Sequence, residues 1–149
     1  MNSVFDAQRT SGNAVFAPQG IATVQFLRPS SDISAGGWTP STGIVLYAML
    51  NETVADDATY NTTLTPSTFE VRLSAGTDPI SSINHLPAVR VRGTTGTVTV
   101  RLVQGTTVIA TFVLTCTPGY TTFTPTLTTG ETDSITDYAD LRYRFTSAL

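Results

Sequence analysis

The chain is poor in the residue types on which catalytic and metal sites depend. Its 149 residues include one cysteine, Cys116, and one histidine, His85. A single cysteine excludes an intrachain disulfide and a thiol-rich metal site. A lone histidine needs an activated nucleophile and an orienting carboxylate to act as a base. We therefore interpret His85 as a loop residue before Pro87 and Cys116 as a small buried hydrophobe. The sequence predicts no catalytic residue, no metal ligand and no cofactor, and hence a non-enzymatic protein.

Charge is also scarce. Charged residues make up 13% of the chain, the net charge is -3, and all eight basic residues are arginine, because lysine is absent. No cluster of basic residues stands out along the sequence, and binding to nucleic acid needs such a patch to release counterions. We therefore expect no nucleic-acid partner. Arginine without lysine is typical of surfaces that meet other proteins, although compositional drift explains it equally well.

Long apolar segments are missing as well. No apolar run approaches the roughly 20 residues that a membrane helix needs. Residues 1–6 carry no basic region followed by an apolar stretch, so the sequence predicts no secretory signal. We expect a soluble protein made in a cytoplasm, without a membrane partner.

Threonine is the commonest polar residue, and it alternates with apolar residues. β-branched residues favour strands, and alternation predicts strands with one buried face. Clear alternation covers 68–73, 89–92, 97–102 and 141–145, and weaker alternation covers Ala22, Val24 and Phe26. The stretches 44–50 and 108–114 are apolar on both faces, which fits a central strand or a short helix, and we favour strands for both.

Turn-forming residues separate these segments. They occur at 93–96, 104–106, 118–119 and 128–131, which is the spacing of a sandwich or barrel, and 51–61 is a long excursion between strands. The sequence predicts an all-β protein, an antiparallel two-sheet sandwich resembling a jelly roll, with about eight strands. We expect an N-terminal arm over residues 1–18 and one β-sandwich domain over residues 19–149.

Two groups of carboxylates are candidates for cation binding. Glu52 with Asp56 and Asp57 lacks the alternating spacing of a calcium loop, so an exposed turn explains it better. Asp133, Asp137 and Asp140 have a spacing that would place them on one face of a helix, but they precede a predicted strand, so we favour a solvated loop. Asp137 could also pair with Arg142 or Arg144. Neither group is predicted to bind a metal.

Trp38 follows two glycines and allows two interpretations. Its ring could stack on a sugar, together with Tyr47 and Tyr60. It could instead plug the end of the sandwich, with its indole N–H bonded to a backbone carbonyl. We favour the anchor and keep the glycan-stacking set as an alternative.

From Arg28 onward, about four-fifths of the chain resembles a segment found in virion structural proteins of tailed bacteriophages. The resemblance is carried by short motifs of low specificity at 29–39, 46–48, 56–60, 78–79 with His85, 89–92 and 135–142. Proteins of this kind are similar to jelly-roll or related β-sandwich modules that serve as head decoration (cement), collar, tail or fibre parts.

The resemblance implies a structural component of a phage particle, located in the virion and assembled in the host cytoplasm. It suggests in particular a capsid decoration or cement protein. Its partners would then be the major capsid protein or other virion proteins, and copies of itself, since such proteins often form trimers. An apolar-studded arm can add to a neighbouring subunit. The residues expected at subunit contacts are Val4, Phe5, Val15, Phe16, Arg90 and Arg92. The alternative is a carbohydrate-binding module of a tail or fibre that uses Trp38, Tyr47 and Tyr60.

Overall fold

The computed structural model describes residues 24–148, which form nine strands and two short helices. The strands are β1 (Pro29–Ser34), β2 (Thr39–Pro40), β3 (Asn61–Thr62), β4 (Thr68–Leu73), β5 (Val89–Val91), β6 (Thr97–Gln104), β7 (Thr107–Thr115), β8 (Thr121–Phe123) and β9 (Leu141–Ala148). A 3₁₀ turn spans Tyr47–Met49, and the α-helix α1 spans Thr129–Asp133. The predicted arm, with Val4, Phe5, Val15 and Phe16, lies outside the described residues, so its boundary stays a prediction.

Five strands form one antiparallel sheet in the order β1-β4-β9-β6-β7. A two-residue loop closes the β6–β7 hairpin, and Gly105 in that loop has a φ of +57°. Positive φ at the first loop residue is what a tight hairpin turn requires, and glycine adopts it without steric cost. Alternation in β4, β6 and β9 and the turn chemistry between β6 and β7 therefore account for the middle of the sheet.

One face of this sheet supplies most of the core. Phe69, Val71, Val100 and Phe145 are buried there, and the Phe69 and Phe145 rings stack with their centroids 4.6 Å apart. The second layer is built from short pieces: the β5–β8 ribbon and the chain around the 3₁₀ turn pack on the same cluster. The two strands of the β2–β3 ribbon lie before and after the 3₁₀ turn in the sequence. The expectation of an all-β, antiparallel, two-layer fold is confirmed.

The strands predicted at 68–73, 89–92, 97–102, 108–114 and 141–145 are confirmed, with their ends within three residues of the predicted ones. The strand predicted over 44–50 is wrong. There the Asp32 carboxylate of β1 accepts hydrogen bonds from the backbone N–H groups of Leu46 (2.8 Å) and Tyr47 (2.7 Å), which fixes a 3₁₀ turn. The prediction of a weaker strand around Val24 and Phe26 is also wrong within the described residues. Residues 24–28 form no strand there, and both side chains are largely exposed.

The turn predicted at 128–131 is the start of α1. The Thr128 hydroxyl accepts from the backbone N–H of Glu131, and the Glu131 carboxylate accepts from the backbone N–H of Thr128 at 2.8 Å. This reciprocal capping box satisfies two helix-end donors. Within residues 24–148, no helix has the length and apolar character that crossing a membrane requires.

Candidate functional site

The β5–β8 ribbon brings two arginines and two tyrosines together on the surface of the second layer. Alternation along β5 directs Val89 and Val91 to the core, so Arg90 points outward, and Arg92 continues the chain on the same side. Tyr60 comes from the end of the 51–61 excursion, and Tyr120 immediately precedes β8. We call Tyr60, Arg90, Arg92 and Tyr120 the tyrosine–arginine cluster.

Arg90 is held by a bidentate ion pair. Its Nε and Nη2 donate to the two carboxylate oxygens of Asp57 at 2.6 Å each, and its Nη1 donates to the Thr122 hydroxyl at 3.0 Å. Thr122 is the cross-strand partner of Arg90 on β8. The hydrogen bond from Arg90 lowers the pKa of Asp57, and the Asp57 carboxylate raises the pKa of Arg90. Both groups face solvent, so this pair fixes geometry more than it stabilises the fold.

The guanidinium groups lie over the tyrosine rings. The Arg92 Cζ is 4.7 Å from the Tyr120 ring centroid and 5.5 Å from that of Tyr60, and the Arg90 Cζ is 5.2 Å from the Tyr120 centroid. These distances are those of cation–π contacts. Burial raises the pKa of Tyr120, which keeps its phenol protonated and able to donate a hydrogen bond. The cluster is an ordered, amphipathic surface with defined donors.

This composition favours binding over chemistry. Tyrosine and arginine are enriched in the energetic centres of protein interfaces, and groups already held in place lose less entropy on binding. Within the described part of the chain, no three His, Cys, Asp or Glu side chains lie close enough to hold a metal ion. The cluster therefore fits recognition of another macromolecule.

The sequence identified only part of this cluster. Arg90 and Arg92 were predicted as contact residues, and the structure brings them together with Tyr60, which was assigned to the glycan-stacking set. Tyr120 was missed, although its position after Pro118 and Gly119 marks the turn before a strand. Its role depends on the pairing of β5 with β8, which alternation alone does not specify.

Trp38 has the geometry of an anchor. Its indole N–H donates to the Ser67 carbonyl at 3.2 Å, and its ring lies 4.8 Å from that of Phe69. Gly36, two residues before Trp38, has a φ of +55°. A Cβ at this position would collide with the Thr68 carbonyl oxygen, so only glycine fits.

Tyr47 packs against the same core cluster as Trp38. None of the aromatic ring pairs within residues 24–148 joins Tyr60 to Trp38 or Tyr47. The glycan-stacking set of Trp38, Tyr47 and Tyr60 is therefore not gathered into one stack of rings, and its role stays a prediction.

His85 lies in a groove of about 330 Å³ at one end of the molecule. Its Nε2 is 3.0 Å from the Tyr138 hydroxyl, whereas its Nδ1 is buried and has no hydrogen-bond partner among residues 24–148. Apolar side chains such as Leu73, Leu127 and Leu141 form most of the wall, and no carboxylate belongs to the described lining.

Cys116 lies directly after β7 and packs on the core cluster. Burial raises the pKa of its thiol, which keeps the sulfur protonated near neutral pH and poorly nucleophilic. Its geometry is that of a small hydrophobe.

The carboxylate groups have local structural partners. Glu52 and Asp56 accept backbone N–H groups of the 51–61 excursion at 2.7 and 2.8 Å, as an exposed turn would. The predicted pairing of Asp137 with Arg142 or Arg144 is wrong: Asp137 accepts from the backbone of Ala139 at 2.8 Å. Arg142 instead binds Asp140 at 3.0 Å and Glu70 at 3.3 Å, and Arg144 binds Glu70 at 2.7 Å. The sequence did not single out Glu70.

Comparison of the chain with protein-family models, with curated proteins and with solved structures gives no match.

Proposed function

We propose that this chain is a non-enzymatic structural component of a phage particle that binds a neighbouring virion subunit through its tyrosine–arginine cluster. Its most specific form is a capsid decoration or cement protein. The cluster is the observation that carries the proposal, because two cations are already ordered over two aromatic rings on the surface. The resemblance of the chain from Arg28 onward supplies the class of partner.

The energetics of such a contact favour the cluster as its centre. Truncation of a tyrosine or arginine at the energetic centre of an interface costs about 2 kcal/mol or more of binding free energy. Cation–π contacts strengthen when a partner excludes water from them. The Asp57 pair holds Arg90 in place before binding, so less side-chain entropy is lost on association.

Binding to an assembled shell would stabilise that shell by mass action, since only the assembled state presents adjacent subunits. This is the physical basis of a cement function, and it needs neither a cofactor nor a reaction.

The experiment is an add-back assay. Purified protein is mixed with capsids that lack it, and both binding and resistance of the capsids to heat are measured. We expect the double variant Arg92→Ala/Tyr120→Ala to bind at least about thirtyfold more weakly. Val113→Ala is the matched control, because it removes an exposed side chain from β7, outside the cluster. Failure of the unmodified protein to bind would overturn the decoration role.

A further inference from the structure

The face of the five-stranded sheet opposite its core side carries four arginines in two adjacent rows. In one row Arg72 of β4 faces Arg142 of β9, and in the next Arg144 of β9 lies between Glu70 of β4 and Arg101 of β6. We call these four arginines the arginine face. The sequence showed no such cluster, because its members are separated along the chain and meet only through strand pairing.

Two carboxylates compensate this face in part. Glu70 is 3.3 Å from Arg142 and 2.7 Å from Arg144, and Asp140 is 3.0 Å from Arg142 and 3.4 Å from Arg72. Arg101 has no carboxylate within ion-pair distance among residues 24–148. The face therefore holds four positive charges against two negative ones.

The arrangement is unfavourable for the isolated fold. Like charges directly opposite each other on paired strands destabilise a sheet. Two such pairs occur here, Arg72 with Arg142 and Arg101 with Arg144. Exposure varies along these rows: the Arg72 side chain is 45% exposed, that of Arg144 30% and that of Arg142 19%. An anionic partner would remove the repulsion.

The remainder of the molecule has the opposite charge. The described residues include seven arginines and ten carboxylates. Removal of the four arginines, Glu70 and Asp140 leaves three arginines against eight carboxylates, a net charge of -5. Four of these carboxylates lie in or near α1 and in the segment before β5: Asp78, Glu131, Asp133 and Asp137. The Ser82 hydroxyl donates a hydrogen bond to the Asp133 carboxylate, which connects the two segments. We call this region the acidic end.

We infer that the arginine face binds the acidic end of a second copy of this chain. Within residues 24–148, none of the four carboxylates of the acidic end forms an ion pair. Each accepts a hydrogen bond within the chain, and Asp78, Asp133 and Asp137 are exposed to solvent. Complementary charge steers two copies into this orientation. Because the two surfaces differ, the contact is heterologous and closes into a ring or extends as a filament.

A protein partner fits better than nucleic acid. The excess of two charges on the arginine face is small compared with the six to ten phosphate contacts typical of strong DNA binders. The net charge of -5 on the rest of the molecule would repel a polyanion.

Sedimentation of the full chain at low and high salt tests the inference. We expect association at low salt that weakens as salt shortens the Debye length. Arg101→Glu and Asp133→Arg should each weaken association by about tenfold or more, and their combination should restore most of it because the charges are exchanged. Thr95→Glu, which adds a negative charge on an exposed turn, is the control.

A chain that stays monomeric at low salt would overturn the inference. Association that ignores Arg101→Glu, or a charge exchange that restores nothing, would overturn it as well. Arg101→Gln gives a milder second variant, and thermal unfolding verifies that each variant is folded. Capsid add-back is scored separately, so a monomer that still binds capsids contradicts this inference alone and leaves the proposed function in place.

Discussion

Glu70 is the residue on which the charge balance of the arginine face depends. It is buried to 6% exposure on the polar side of β4, where it binds Arg142 and Arg144. Most buried carboxylates need this kind of compensation. Arg101, one strand further, lacks it within the described residues, so the two positions should respond to substitution in opposite ways.

We expect Glu70→Gln to destabilise the protein by about 2 kcal/mol, because two arginines lose their shared anion in a partly desolvated site. Arg101→Gln should leave the free energy of unfolding unchanged or raise it slightly, since it removes a like charge opposite Arg144. Denaturant unfolding measures both. Equal effects of the two variants would contradict this assignment of charges.

Trp38 distinguishes the two functional interpretations at the residue scale. If its ring is an anchor, Trp38→Ala should lower the free energy of unfolding by about 3 kcal/mol, because the contact with Phe69 and the bond to Ser67 are lost together. Trp38→Phe should recover most of that loss. A Trp38→Ala protein that unfolds normally but loses binding on a glycan array would favour the carbohydrate-binding alternative instead.

Tyr143 gives the fold a specific alkaline limit. Burial raises its pKa to about 12, so the folded state favours the neutral phenol. The associated stability is fully present below the ordinary tyrosine pKa of about 10 and is lost as pH rises from there through about 12. We expect stability to fall by about 1.4 kcal/mol for each pH unit in that window.

Tyr143→Phe should flatten this part of the pH profile, whereas Tyr47→Phe, the control for loss of a phenol hydroxyl, should leave it steep. Chemical denaturation between pH 9 and 12 makes the comparison. An unchanged slope in the Tyr143→Phe protein would show that another group controls alkaline unfolding.

At the scale of elements, alternation predicted the strands whose two faces differ. β4, β6 and β9 each have one apolar face that the sheet buries, so a period of two was sufficient to find them. The strand prediction for 44–50 is wrong because the 3₁₀ turn there depends on hydrogen bonds to the distant carboxylate of Asp32. A local sequence pattern does not indicate a hydrogen bond between two separate elements.

The candidate site was less predictable than the strands. Tyr120 joins Arg90 and Arg92 only after β5 and β8 pair. The arginine face likewise exists only in the register of β4, β9 and β6. The sequence singled out Arg90 and Arg92 but not Tyr120 or the arginine face, because both sites arise from strand order, which composition and periodicity leave open.

The N-terminal segment supplies a prediction about an element outside the described residues. Deletion of residues 2–17 should leave thermal unfolding nearly unchanged and abolish assembly, because a terminal segment that contacts a partner contributes little to its own core. Calorimetry tests the expected thermal unfolding, and the capsid add-back assay tests the expected loss of assembly. A truncated protein that unfolds would show that these residues belong to the core and that the boundary at residue 18 is misplaced.

At the scale of the whole molecule, the two layers give the protein two different outer surfaces. The second layer carries the tyrosine–arginine cluster, and the opposite face of the five-stranded sheet carries the arginine face. A module with one surface for a foreign subunit and another for its own copies can cover a shell by repeating both contacts.

Cryo-electron microscopy of capsids reconstituted with the purified protein tests the central claim most directly. The account predicts density for the protein on the particle, with the β5–β8 ribbon turned toward a neighbouring subunit and Tyr120 and Arg92 inside the contact. Density in which that ribbon faces solvent, or particles that carry none of the protein, would contradict it.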